Sequence, residues 1–276
     1  MKEKNETVKA INLTTGYRNS KGAKCVTGNL TASLFSGELT CLLGPNGAGK
    51  STLLRTLAGF QHPLTGNIEI EGRPLTDYTS NELARTVSVV LTEKPILENM
   101  DVETLVGFGR TPYTGFWGRQ TKEDREAVDH ALSLIGIENM RHRMVQSLSD
   151  GERQKAMIAK ALAQATDVIY LDEPTAFLDY PSKVEIMLLL HSLAHDMEKT
   201  IFMSTHDLDM ALQLSDRIWL IDQSLGVHTG THKELTESGD IERYFLRPGI
   251  IFDRNSGLFR IDQTFKGSSI HDVESY

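Results

Sequence analysis

The chain has 276 residues with a net charge of −8, and 39% of its residues are hydrophobic. That composition is globular, its charge argues against a general nucleic-acid field, and its longest apolar runs fall short of the roughly 18 residues a membrane span needs. Only Cys25 and Cys41 are present, too few for a disulfide framework, and the opening MKEKNE has no apolar stretch, so the reading is a soluble protein of a reducing compartment with no secretory signal.

Along the chain, residues 8–43 read as three short β-prone runs broken by glycine: VKAINLTTGY, NLTASLF and ELTCLLG. A glycine-rich loop follows, then a helix from Lys50 to Ala58 with Leu53, Leu54 and Leu57 on one face and Gly59 as its stop. A turn at 63–66 leads to the alternating strand NIEIEG. Thr79 with Glu82, and Thr121 with Asp124, have capping-box spacing. The second box opens a helix whose apolar face is Ala127, Val128, Ala131, Leu132, Leu134 and Ile135, closed by Gly136. The segment 93–147 therefore reads as a helical insertion.

Beyond it the spacing predicts a helix over Arg153–Ala163, a strand DVIYLDE, a helix over Pro181–Met197, a strand TIFMSTH, a helix over Leu208–Leu214 and a strand RIWLID. Continuously apolar strands alternating with helices predict an α/β fold whose mostly parallel sheet is buried on both faces. A boundary is placed at residue 228. The remaining 229–276 form a polar extension with one hairpin, IIFDRNSGLFRID, turning at Asn255-Ser256-Gly257.

Residues 44–52, Gly44-Pro45-Asn46-Gly47-Ala48-Gly49-Lys50-Ser51-Thr52, fit the phosphate-loop pattern G-x-x-x-x-G-K-[ST]. Glycines let successive amides turn inward as an anion nest, and the following helix points its positive end at the same charge. Lys50 is then expected on the β- and γ-phosphates of ATP, and Ser51 on Mg2+. The strand ending in Asp172 places a carboxylate at the sheet's carboxyl edge, positioned to orient the metal. Its neighbour Glu173 diverges and is free to activate a water.

The segment Leu148-Ser149-Asp150-Gly151-Glu152 has capping-box spacing of its own. Placed between a helical insertion and an acidic strand, it resembles the LSGGQ signature of ABC-type ATPases. The resemblance spans Val8–Asp222 and is to the ATP-binding subunit of an ABC transporter. It implies a P-loop core with an N-terminal antiparallel β subdomain, the whole ATPase domain occupying 1–228. It implies that Tyr17 stacks on adenine, that Asp179 of AFLD contacts the opposite site, and that His206 holds the γ-phosphate and attacking water. Ser149, Asp150, Gly151 and Glu152 would close over a nucleotide held by a second copy, giving an ATP-sandwich homodimer.

Two departures from the family pattern stand out. Asp150 and Glu152 replace a glycine and a glutamine of the signature. Thr92 stands where the family places a metal-sensing glutamine, with Glu93 beside it, and either could have taken the role.

The loop GFGRTPYTGFWGR, with Tyr113, Phe116 and Trp117, packs the insertion or meets a membrane partner. It resembles the importer branch for iron chelates, haem and vitamin B12. That branch implies two transmembrane permease subunits, an external binding protein and a peripheral position on the cytoplasmic face of the inner membrane. The alternatives are a soluble iron–sulfur cluster assembly ATPase and a DNA-repair ATPase; the second would split the domain with long coiled coils.

Overall fold

The computed structural model describes residues 5–19, 22–92, 99–115, 118–254 and 256–262. Two long strands come first, β1 (Glu6–Asn19) and β2 (Gly22–Phe35), paired antiparallel. They replace the short runs read from the sequence. Gly16 does not break the ladder but lies within it opposite Cys25, and only glycine fits there, since a Cβ would sit 2.1 Å from the Lys24 carbonyl oxygen. Register shifts absorb the irregular spacing instead, with Asn12 and Asn29 in the left-handed region at φ 48° and 57°.

Next come β3 (Leu39–Leu43), α1 (Lys50–Leu57), β4 (Thr65–Ile70), β5 (Arg73–Pro74), α2 (Ser80–Thr86) and β6 (Val87–Val90). The insertion contributes α3 (Val102–Gly107) and α4 (Lys122–Ile135). The chain continues with α5 (Asp150–Ala163), β7 (Val168–Asp172), α6 (Tyr180–Asp196), β8 (Thr200–Thr205), α7 (Leu208–Leu214), β9 (Arg217–Asp222) and β10 (Gly226–Gly230). The last described elements are α8 (His232–Glu237), α9 (Asp240–Phe245) and the hairpin β11 (Ile250–Asp253) with β12 (Leu258–Ile261).

The central sheet has the order β10-β9-β3-β8-β7-β6, parallel throughout except for the edge strand β10. Every residue of β3, β7 and β8 is buried, as a sheet covered on both faces requires. One apolar cluster joins its first face, through Leu42, Tyr170, Phe202 and Trp219, to α1 and the antiparallel sheet β2-β1-β4-β5. The other cluster joins Leu43, Ile169 and Met203 to α5, α6 and the insertion. The α/β core, antiparallel subdomain and inserted helices are thus all present.

Both capping boxes form, the first at Thr79 ahead of α2 and the second inside the insertion, where the Thr121 hydroxyl accepts the Asp124 amide while the Asp124 carboxylate accepts the Thr121 amide. Gly136 ends α4 at φ 71°. The inward face of α4 is Asp124, Val128, Ala131, Leu132 and Ile135, while Leu134 is exposed. Asp124 is buried because Arg110 reaches it, with Nε 2.9 Å from Oδ1. Tyr113 lies 3.8 Å over the same guanidinium and donates its hydroxyl to the Gln164 carbonyl. Tyr113 therefore packs the subdomain; Phe116 and Trp117 lie outside the described residues. The longest insertion helix among those described has 14 residues, so no coiled coil divides the domain there.

Near the C-terminus, β10 runs through position 228, where the sequence reading places its boundary. Leu235, Ile241, Tyr244 and Phe252 join the core cluster of the central sheet. The polar composition of this tail hides four well-spaced apolar anchors.

Candidate functional site

The glycine loop is made by what lies behind it. A Cβ on Gly44 would sit 2.2 Å from the Ile221 carbonyl oxygen at the end of β9, and one on Gly49 would sit 2.1 Å from Cγ1 of Val26. Gly47 and Gly49 also adopt φ 77° and 105°, which glycine reaches without steric cost. Lys50 opens α1, is 5% exposed, and donates to the carbonyl oxygens of Gly44 at 2.9 Å and Pro45 at 3.2 Å. Burial lowers its ammonium pKa, opposed by the charges of Glu173 and Asp172.

Asp172 ends β7, buried at 3% exposure. Its Oδ1 accepts from Ser51 Oγ at 3.0 Å and from Ser204 Oγ at 2.7 Å. The second bond follows from the parallel register, which sets Asp172 beside Ser204 of β8. Thr92 donates its hydroxyl to the Asp172 carbonyl oxygen at 2.6 Å, so its side chain is tied to the acidic strand. Glu93 lies outside the described residues.

Glu173 turns away from Asp172 by taking φ 52°. Its amide donates to Ser204, 2.9 Å from Oγ and 3.2 Å from the carbonyl oxygen. The side chain then meets His206, with Oε1 2.5 Å from Nε2. The other ring nitrogen, Nδ1, is 3.4 Å from Nζ of Lys50. One carboxylate thus faces the loop serine, and its neighbour faces a histidine that also touches the loop lysine.

Beside this cluster a cleft of about 340 Å3 is lined by Tyr17, Lys24, Asn46, Thr52, Glu173 and Gln223, among others. The Tyr17 hydroxyl lies 2.7 Å from Thr52 Oγ1, and its side chain is half exposed at 49%. That leaves a ring face free for a flat ligand. Gln223 donates to the Gly47 carbonyl oxygen at 2.8 Å.

Ser149, Asp150, Gly151, Glu152 and Asp179 do not line this cleft. They form a second group at the tips of α5 and α6. Ser149 accepts the Glu152 amide at 3.3 Å, and the Glu152 carboxylate accepts the Ser149 amide at 2.8 Å. That amide, and then Arg143 at 2.8 Å, hold the Glu152 carboxyl below its ordinary range. Asp179 caps α6 by accepting the Ser182 amide at 3.1 Å, and the Ser182 hydroxyl and amide lower its pKa. A Cβ on Gly151 would stand 3.3 Å from Oγ of Ser182, so the two helix tips abut.

Sequence reasoning passes over Ser204 and Gln223. Ser204 lies on β8, two residues before His206, but its contact with Asp172 depends on which strands are neighbours. Gln223 follows the last residue of β9, and no motif marks it.

A group bound by one serine hydroxyl, one carboxylate and a polyphosphate suits Mg2+, which favours oxygen ligands and few protein donors. Ser51 and Asp172 are such donors, already in contact. Among the described residues no group of three or more His, Cys, Asp or Glu could hold a metal by itself.

The family model for ABC transporters matches residues 27–176. The ferric enterobactin transport ATP-binding protein FepC of Escherichia coli (strain K12) is 37% identical over 246 residues, covering 89% of each chain. The petrobactin import ATP-binding protein FpuC of Bacillus anthracis is 39% identical over 207 residues, 75% of this chain and 76% of that one. Among solved structures, the dimeric ATP-binding cassette MJ0796, in a post-hydrolysis state with ADP and Pi, superposes with a TM-score of 0.69. It is 26% identical, and the match covers 81% of this chain and 98% of that one.

Proposed function

The chain belongs to the ATP-binding subunits of ABC transporters, ATPases that power transport, and on that premise we propose that it drives import of an iron chelate of the siderophore class. The observation that carries the ATPase chemistry is the convergence of Lys50, Ser51, Asp172, Glu173 and His206 at one end of a cleft. The substrate class rests on the relatives, which are named for petrobactin import and ferric enterobactin transport.

ATP enters with its adenine on the exposed face of Tyr17 and its phosphates on the amides of residues 44–49. The N-terminus of α1 adds its positive end. Lys50 shifts from the Gly44 and Pro45 carbonyls to the β- and γ-phosphates. Mg2+, held by Ser51 and through water by Asp172, would neutralise charge between those phosphates. Glu173 accepts the proton of the attacking water, and His206, oriented by Glu173, donates to the γ-phosphate. Thr92 keeps its tie to the acidic strand.

Ser149, Asp150, Gly151 and Glu152 do not line the cleft of their own copy, which leaves the outer side of the γ-phosphate to a second copy. The tip of α5 in that copy, which carries these residues, supplies the donors there, and Asp179 lies beside that tip. ATP therefore joins two copies head to tail, and hydrolysis releases them. No helix among the described residues is long and apolar enough to cross a membrane. Two permease subunits and an external binding protein complete the transporter, with this protein peripheral on the cytoplasmic face. Residues 1–228 carry the ATPase and 229–276 form an extension.

The test is reconstitution in proteoliposomes with the permease and binding protein, following labelled ferric siderophore. ATP-dependent accumulation abolished by Glu173→Gln is expected. Hydrolysis accompanied by transport of haem or cobalamin but not the siderophore would overturn the substrate class.

A further inference from the structure

Asp207 immediately follows His206 and stands at the N-cap of α7, yet its side chain makes no capping bond to that helix. Aspartate is among the best caps, so leaving the helix uncapped gives up stability. The carboxylate is used elsewhere. Its Oδ2 accepts from Thr175 Oγ1 at 2.6 Å, and its Oδ1 lies 2.6 Å from Nζ of Lys183. Thr175 and Thr205, which also approaches Oδ2, are 2% and 1% exposed, so these bonds form in a partly desolvated setting where they are stronger. Thr175 lies two residues after Glu173, and Lys183 lies in the first turns of α6 next to Ser182, which stands close beside Gly151.

We infer that Asp207 is a positioning residue for hydrolysis: by tying the His206 loop to Thr175 and Lys183, it sets the histidine ring against Glu173 and joins that pair to the tip of α6. The inference rests on the ATPase reading of His206 and Glu173. Without the tie, the backbone just after the histidine loses its side-chain anchor to Thr175 and Lys183, and small misplacements of a reacting group cost rate steeply. Nucleotide affinity is spared, since Asp207 does not line the cleft.

The experiment measures steady-state ATP hydrolysis by purified Asp207→Asn and Lys183→Met proteins, alone and combined with His206→Ala. Each single variant is expected to lower kcat roughly tenfold while KM for ATP stays within about twofold. Adding either change to His206→Ala is expected to leave the residual rate unaltered, because the effect passes through the ring. Should Asp207→Asn fail to fold, Lys183→Met carries the same test. Unchanged kcat in both, or an equal loss with and without His206, would overturn the inference while leaving the ATPase reading intact. Wild-type protein that binds ATP and never hydrolyses it would instead overturn the reading beneath it.

Discussion

Oε1 of Glu173 and Nε2 of His206 stand 2.5 Å apart at the ends of two adjacent parallel strands. The contact depends on a backbone conformation that glutamate rarely adopts, φ 52°, which costs on the order of 1 kcal/mol or more. Ser204 offsets that cost by accepting the Glu173 amide with both its hydroxyl and its carbonyl oxygen. The left-handed step separates two carboxylates with different tasks: Asp172 toward Ser51, and Glu173 toward the histidine.

Glu173→Gln keeps the shape of that contact and removes the proposed proton acceptor. Hydrolysis is expected to fall by roughly 100-fold or more, with ATP binding retained. ATP-bound dimers should then accumulate on size-exclusion chromatography. A variant that stays monomeric in excess ATP would refute the two-copy mechanism.

Ser204→Ala removes one of two hydroxyl donors on Asp172 Oδ1 and leaves the Glu173 amide only the Ser204 carbonyl oxygen. Hydrogen bonds to a charged group contribute about 1.5–3 kcal/mol, so kcat is expected to fall about tenfold. The Mg2+ concentration giving half-maximal rate should rise, and Ser204→Thr should restore both. Superimposable Mg2+ titrations for Ala and wild type would show that Ser204 does not orient the carboxylate.

Ser149 lies at the α5 tip and outside the cleft, so Ser149→Arg should abolish hydrolysis without weakening ATP binding. Mixing it with Lys50→Met provides a sharper check. Each variant alone is silent, but one mixed dimer site pairs an intact phosphate loop with an intact Ser149 tip, as a two-site symmetric assembly allows. Recovered activity in the mixture is expected; silence would place both functions on one copy.

Much of this arrangement was legible in the chain because its determinants are local. Residues 44–52 are contiguous, the boxes at Thr79, Thr121 and Ser149 span four residues each, and Gly136 marks its own helix end. What escaped is non-local. Ser204 reaches Asp172 only because β8 lies beside β7, and Gln223 reaches Gly47 from the far end of β9. The buried face of α4 includes Asp124, which reads as solvent-facing until Arg110 is seen against it. Leu134, read as part of that face, points to water. The long ladder of β1 and β2 was hidden because register shifts break its alternation.

Asp124→Asn tests the Arg110 contact. Both side chains are nearly buried, at 3% and 9% exposure, and the carboxyl pKa is lowered by the Thr121 amide and by Arg110. Removing one charge leaves the other unpaired in the interior, at a cost of about 3 kcal/mol. A clear drop in the urea midpoint is expected, and an unchanged midpoint would mean that Arg110 finds another partner.

Glu82 gives a pH-dependent case with a definite sign. The Thr79 amide, then the Thr79 hydroxyl and Arg73, pull its carboxyl down to about 2 from an ordinary value of 4.5. Because the folded value is the lower one, the unfolded chain binds the proton first as pH falls. The contribution is therefore complete above the unfolded value and fades as pH drops from there toward about 2. Glu82→Gln should melt below wild type near neutral pH, with the gap narrowing steadily through the acidic range. The side chain is solvent-exposed, so the gap is modest and screened by salt. A gap that holds constant down to the most acidic measurable melt would show that the charge on Glu82 plays no part in capping α2.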